Sequence, residues 1–505
     1  MRYPPTGMSP VSVFLLAIAT IFVVGIVGEI VFSKTGVPDV VWLIGVGVII
    51  GPVSGLVSHE GLMEIAPYFG ALTLVIVLFD GGSELRLGDL KKAAGRGTFM
   101  AVFGFILAVI AVAGVTKAAC WAGILPSSWT WMHAIMVGTI LGGSSSVVIM
   151  PALSKAGLSP KISNLVNLES ALTDVLSVVA TGAVIQILAS TSADAGGAGA
   201  AAATLGKSFG IGVGVGAVAG LLTVLVLNRL ETSEYAYPLL LGFFLVVYVI
   251  VDEMGGSAAL AILTAAVMAG NAPALSKSIG LAQAAHLGRN VKGVHGVITF
   301  IIKSFFFCFI GAMLGPPWSL LFFGVGIGLI LLLARVPNVL LATARSGLST
   351  PARSLVGVLM PRGMAAGVLA MMPYQAGIEG TESLPVVIFS AVLTTILIFA
   401  VGFPILKKRL PPSDLADGGG NANGTLAGSF QSADVAPALA RALEGRPEIS
   451  GDAATIAAPA VAREAAKGSM RIPIGPADAT SVDPGGPGAR SAVPLSPIDD
   501  SEETK

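Results

Sequence analysis

Two acidic residues, Glu169 and Asp174, interrupt the apolar run NLVNLESALTDVLSVVATGAVIQILAS at 164–190, which contains no basic residue. A carboxylate in mid-bilayer costs roughly 2.5–3.5 kcal/mol even on a lenient insertion scale, so each acid needs a partner or a task. Ser170 and Asp174 are four positions apart and share one helix face, while Glu169 and Thr173 share the next. For a helix that starts near Lys161, Asp174 falls roughly 20 Å along it, a little past mid-membrane, and Glu169 about 7 Å shallower. Arg362 keeps its charge in lipid and can grip a carboxylate with two donors, so it is the expected partner of Glu169 in a structural ion pair. Asp174 is then the one unpaired carboxylate, beside Ser170 and near Ser144 and Ser145. Carboxylate, hydroxyl and carbonyl oxygens are what an alkali cation takes in place of its water. A proton on Asp174 removes the charge that attracts the metal ion, so occupancy by one excludes the other.

The elements that must hold these groups are membrane helices. Of 505 residues 54% are hydrophobic and 11% charged, against about 25% charged in soluble domains. The expected fold is therefore all-α, with about thirteen spanning segments before residue 407; these include 37–57, 66–83, 130–153, 161–190, 293–315, 318–343 and 352–374. Basic residues fall on alternate sides of these spans: Lys34, then Arg86 to Arg96, Lys155 and Lys161, Arg229, Lys277 to Lys292, Arg345 and Arg353, and Lys407 to Arg409. Such residues collect in cytoplasmic loops, which puts the N-terminus outside and the C-terminus in the cytoplasm of a cell (inner) membrane protein. Residues 1–409 form the transmembrane domain on this reading, and the Ala-, Gly- and Pro-rich remainder, 410–505, is a disordered cytoplasmic tail. The scattered charge gives no footprint for nucleic acid, and Cys120 and Cys308 match no metal-ligand spacing.

Two segments should be broken. MVGTILGGSSSVVIMPAL at 136–153 carries Gly142, Gly143 and three serines, and VGVLMPRGMAAGVLAMMP at 356–373 carries Pro361, Arg362 and Gly363. Paired interruptions in two halves point to an inverted-repeat transporter whose ion site lies where the discontinuous helices cross.

These stretches carry a family resemblance. ESALTD followed by LSVV resembles the acidic-helix signature of the cation/proton antiporters of the NhaP and NHE type. MPRGMAAG is similar to their second broken segment, GTILGGSSSVVIMPAL to their first, and LFDGGSELRL and KSFFFCFIGAML are also family-like. The resemblance covers most of residues 11–406. It implies a core domain that moves against a dimerisation domain, a homodimer, and a cation site at Asp174 with a structural Glu169–Arg362 pair. Where the family has Asn, this chain has Thr173; where it has Thr-Asp, this chain has Ser144 and Ser145, a serine run nearer the potassium-efflux branch. One carboxylate trading one proton for one monovalent cation moves no net charge, so the expected activity is electroneutral exchange. Na⁺ is the first cation expected and Li⁺ or K⁺ an alternative, with no cofactor and no enzymatic reaction.

The remaining charged residues read as accessories. Lys303 is expected to pair with an acid or face water, Asp80 to cap the loop after the third span, and Arg335, Lys117 and Lys207 to snorkel from helix ends. His286 and His295 are candidate pH sensors. A K⁺/H⁺ antiporter or K⁺ efflux system is the nearest alternative function. An intramembrane aspartyl protease with an Asp80–Asp174 dyad is a remote one, because Phe79 and Thr173 precede these acids where that family's Y-D and G-x-G-D motifs need other residues.

Overall fold

The computed structural model describes residues 10–85, 88, 95–192, 197–230, 235–278, 288–344 and 346–415. The chain divides after Phe430, and its second unit, Gln431–Lys505, lies outside the described residues. The expectation for the tail therefore concerns residues that, beyond Leu415, are outside the description, as is His286.

Lipid offers no hydrogen-bond partner to a peptide group, so apolar runs of this length must close their bonds internally. The described chain is helical accordingly. Its first part holds α1 (Pro10–Thr35), α2 (Asp39–Val48, closed by a π-helical turn at Ile49–Val53), α3 (His59–Glu84) and α4 (Arg96–Trp121). Next come α5 (Trp131–Ile140), α6 (Ser146–Ala156), α7 (Pro160–Ser192) and α8 (Gly197–Leu230). The second half runs through α9 (Ala236–Glu253), α10 (Ala258–Gly270), α11 (Ala272–Ser278), α12 (Arg289–Met313) and α13 (Trp318–Ala342). It ends with α14 (Thr350–Val358), α15 (Met364–Leu369), α16 (Met372–Gln375) and α17 (Leu384–Lys407). Side-chain caps set several starts: Ser58, Ser257 and Ser349 each accept from a backbone N–H three residues on.

Among the described residues nine helices are long and apolar enough to span a membrane, or ten if the pair α10 and α11, bent by 76°, is one span. The thirteen expected spans are not all reached by single helices. The segments at 130–153 and 352–374 are split at their breaks, and α2 is a short helix between Pro38 and the π turn. Asp80 does not cap a loop: α3 continues one turn further, to Glu84.

The helices pack as two sets. In one, α4 lies against α5, α7 and α13, and α17 against α13 and α14. In the other, α10 packs on α3, α8 and α9, and α12 on α1, α2 and α3. Glycines let some of these helices touch backbone to backbone. A Cβ at Gly47 would overlap the Cys308 carbonyl, and one at Gly311 the Ile44 carbonyl, so α2 and α12 meet with nothing between them.

Beyond α17 the chain turns back on itself. A 3-10 turn at Pro412–Asp414 buries Asp414, whose carbonyl accepts from Ser159 N at 3.0 Å and whose Oδ2 accepts from Ser349 N at 3.4 Å. Leu415 forms an isolated antiparallel bridge with Leu158.

Candidate functional site

The two breaks predicted from sequence face each other. Helix α5 stops at Ile140 and α6 resumes at Ser146; α14 stops at Val358 and α15 resumes at Met364. Their freed backbone groups find partners across the crossing rather than in lipid, as they must. Ser145 N donates to Pro361 O at 2.8 Å, Arg362 N donates to Thr395 Oγ1 on α17 at 3.0 Å, and a Cβ at Gly363 would overlap the Ser145 side chain. Each half-helix that ends at the crossing meets a guanidinium. Arg362 Nη1 donates to Gly142 O at 2.9 Å, beyond the end of α5. Arg335 Nη2 donates to Val356 O and Leu359 O at 3.3 and 3.1 Å, at the end of α14. A cation at a helix C-terminus satisfies orphan carbonyls and opposes the negative end of the dipole.

The ion pair expected between Glu169 and Arg362 is instead made between Glu169 and Arg335. Arg335 Nη1 pairs with Glu169 Oε1, and Nη2 donates to Oε2 at 2.7 Å, with both side chains buried. The cause is placement. Arg335 projects from α13 and grips both carboxylate oxygens, whereas Arg362 belongs to the crossing and is spent on Gly142 O. Arg335, Arg362 and Glu169 line one small cavity with Asn338 and Gly104. Arg335 is thus no snorkelling residue; it is 8% exposed, three positions before Asn338, whose amide donates to Met100 O at 3.1 Å. That i, i+3 polar pair inside LLLARVPNVLL is the sequence signal for a buried polar face on α13.

Helix α7 brings the polar residues of its own face to the first break. Ser170 Oγ donates to Ser144 O at 2.8 Å, Ser144 N donates to Thr173 Oγ1 at 3.1 Å, and Thr173 Oγ1 donates to Ser170 O at 3.1 Å. Ser144, Ser170 and Thr173 therefore form one buried hydroxyl–backbone network, with Ser145 at the crossing beside it. Asp174 is only half-buried and has no hydrogen bond or ion pair among the described residues. It lines a cleft with Val77, Leu78, Gly81 and Gly82 of α3, Leu263 of α10 and Ala365 of α15. Arg362, Asp80 and Glu84 are charged groups coupled to it electrostatically.

Asp80 and Lys303 are both engaged. Asp80 Oδ1 lies 2.8 Å from His295 Nε2, and His295 Nδ1 lies 2.9 Å from the Tyr237 hydroxyl. Glu84, one turn on from Asp80, adds a second acid to that end of α3. Lys303, expected to pair with an acid or face water, places its Nζ 2.6 Å from Asp39 Oδ2 in an ion pair buried between α12 and the start of α2. His133 completes a capping box with Thr130.

The arrangement offers a carboxylate without a hydrogen bond, facing a cleft beside the first break, where Thr173 O and Asp174 Oδ1 both border Gly143, while the other acid of α7 is already paired with Arg335 of α13. Such a site can accept a proton or a dehydrated monovalent cation and release either to water.

Comparison with known proteins agrees with this chemistry. The family model described as "Sodium/hydrogen exchanger, transmembrane" matches residues 18–408. The K(+)/H(+) antiporter NhaP2 of Shewanella sp. (strain ANA-3) is 24% identical over 416 residues, covering 80% of this chain and 69% of that protein. The K(+)/H(+) antiporter NhaP of Alkalimonas amylolytica is 24% identical over 379 residues, 74% of this chain and 62% of the relative. In fold, the chain is similar to the solved structure of the sodium proton antiporter MjNhaP1 from Methanocaldococcus jannaschii at pH 8, with a TM-score of 0.62 at 20% identity, over 79% of this chain and 99% of that one.

Proposed function

Because the chain belongs to the sodium/hydrogen exchanger family, it is a multi-pass membrane transporter that exchanges monovalent cations for protons, and we propose that Asp174 is the carboxylate for which the two compete. The observation that carries this reading is the free, half-buried Asp174 at the crossing of the broken helices, in a helix whose other acid is already neutralised by Arg335. Ser170, Thr173, Ser144 and Ser145 supply neutral oxygens around it and keep the backbone of the break in place. One site that holds either one proton or one cation carries the same charge in both loaded states, so exchange is one-for-one and electroneutral.

Na⁺ is the cation named by the family's description, and K⁺ is a second reading, supported by the relatives named as K(+)/H(+) antiporters and by the serine run at 144–146. The distribution of Lys and Arg between spans supports an outside N-terminus and a cytoplasmic C-terminus in the cell membrane, and the family resemblance supports a homodimer. The protease alternative falls with the transporter family, and Asp80 is tied to His295 in any case.

The test is dequenching of a pH-sensitive dye in acid-loaded everted vesicles on addition of Na⁺, Li⁺ or K⁺. The parent dequenches at a rate that does not change when the membrane potential is collapsed, and Asp174→Asn gives no signal. Cation-driven proton flux through correctly inserted Asp174→Asn protein would refute the assignment.

A further inference from the structure

The polar face of α7 continues past Asp174. Ser170, Asp174, Ser177 and Thr181 follow one another at intervals of four, three and four, so they lie along one side of the helix. The outer members of this row have committed their hydroxyl protons. Ser170 Oγ donates to Ser144 O at 2.8 Å. Thr181 Oγ1 donates to Thr139 Oγ1 at 3.0 Å, and Thr139 passes its own proton to Met136 O at 2.9 Å.

Ser177 differs from both. It is 2% exposed, and its Oγ has no hydrogen-bond partner. Thr73, Thr98, Thr116, Ser159 and Thr223 also hold unpartnered buried hydroxyls, but none of these has an acid within one turn on its own helix. Buried hydroxyls are ordinarily satisfied, so one left open beside a free carboxylate calls for a partner.

Gly143, in the first break, shows where that hydroxyl is aimed. A Cβ on Gly143 would lie 2.8 Å from Ser177 Oγ, 3.0 Å from Thr173 O and 3.3 Å from Asp174 Oδ1. One unpartnered hydroxyl, one carbonyl and one carboxylate oxygen thus converge on the bare Cα of a glycine. Any side chain there would force them apart.

We infer that Ser177 is a ligand of the transported cation on the side of Asp174 away from Glu169, and that position 143 is glycine so that Ser177 and Asp174 can close on the ion. The inference rests on the reading of Asp174 as the exchanging carboxylate and adds to its site a residue and a specificity determinant. A serine hydroxyl bound to nothing else can turn a lone pair to a dehydrated cation. When Asp174 carries the proton instead, the same hydroxyl accepts a hydrogen bond from the carboxylic acid. Ser177 thereby stabilises both loaded states.

The experiment measures apparent KM and maximal rate for Na⁺, Li⁺ and K⁺ in everted vesicles for the full-length parent, Ser177→Ala, Ser177→Thr, Gly143→Ala and Asp174→Asn. Loss of one ligand oxygen predicts a rise in cation KM of about tenfold for Ser177→Ala, with a changed order among the three cations and a maximal rate near the parent's. Ser177→Thr, which keeps the hydroxyl, restores the parent KM, and Gly143→Ala raises KM as Ser177→Ala does. If Ser177→Ala fails to insert, Ser177→Cys, similar in size but a poor ligand for hard cations, is read in its place and must show the same rise. Parent-like KM and cation order in the inserted Ala or Cys variant, or an equal defect in Ala and Thr variants, overturns the inference while inactive Asp174→Asn leaves the wider reading standing. An active Asp174→Asn overturns both.

Discussion

Replacing Arg335 by methionine removes the one guanidinium that holds Glu169, and the size of the loss can be worked from its contacts. Arg335 makes two hydrogen bonds to the Glu169 carboxylate and one each to Val356 O and Leu359 O. Stranding a buried carboxylate by deleting its partner costs about 3–5 kcal/mol, because the desolvated charge remains. The two carbonyls at the end of α14 add about 1 kcal/mol each, the net value of an ordinary hydrogen bond. Removing both charges, in Glu169→Leu with Arg335→Met, leaves only the carbonyl part, since an ion pair exchanged for well-packed apolar groups is close to neutral. A denaturant titration in detergent micelles, followed by tryptophan fluorescence and arranged as a double-mutant cycle, should therefore give a coupling of at least about 2–3 kcal/mol between positions 169 and 335. The same cycle with Arg362→Met should give far less, because Arg362 Nη1 is bonded to Gly142 O. Additive effects at 169 and 335, or stronger coupling of Glu169 to Arg362, would refute the assignment of the pair.

Other expectations follow from the same geometry. Lys303→Met leaves Asp39, 5% exposed, without its counter-charge and should cost about 3 kcal/mol in that titration, most of it regained on adding Asp39→Asn. Gly311→Ala puts a methyl group into the Ile44 carbonyl and must part α2 from α12, so it should lose about 1–3 kcal/mol or more and lower the folded yield. Gly326→Ala, inside α13 with open space at the new Cβ, should instead gain a few tenths to about 1 kcal/mol; a loss there would show that free space beside a helix is a poor guide to tolerance.

What the sequence disclosed and what it hid divide along a physical line. The acidic helix, the polar face shared by Ser170 and Asp174, and both breaks could be read locally, because helical spacing, glycine and proline act within a few residues. Partners could not be read locally. Arg335 stands seven residues before the end of α13, roughly 10 Å from it, close enough for a long side chain to reach headgroups, and only the packing of α13 on α4 and α17 turns it inward. Arg362 looked the better mate for Glu169 because it sits in a break, yet the break itself creates the carbonyl that claims it. Asp39 and Lys303 are separated by most of the membrane domain in sequence, and nothing in either run announces the other. Gly143 could be seen as a helix breaker, but not as the floor on which Ser177 Oγ and Asp174 Oδ1 converge.

The returning turn at Pro412–Asp414 also bears on where the membrane unit stops. A cut at 409, where the composition changes, would remove Asp414 and Leu415, exposing Ser159 N and Ser349 N at the feet of α7 and α14. Those two helices carry Asp174 and one arm of the second break, so the shortened protein would be frayed at the roots of its own transport machinery. Trimming for biophysical work belongs after Leu415, with the clasp left fastened.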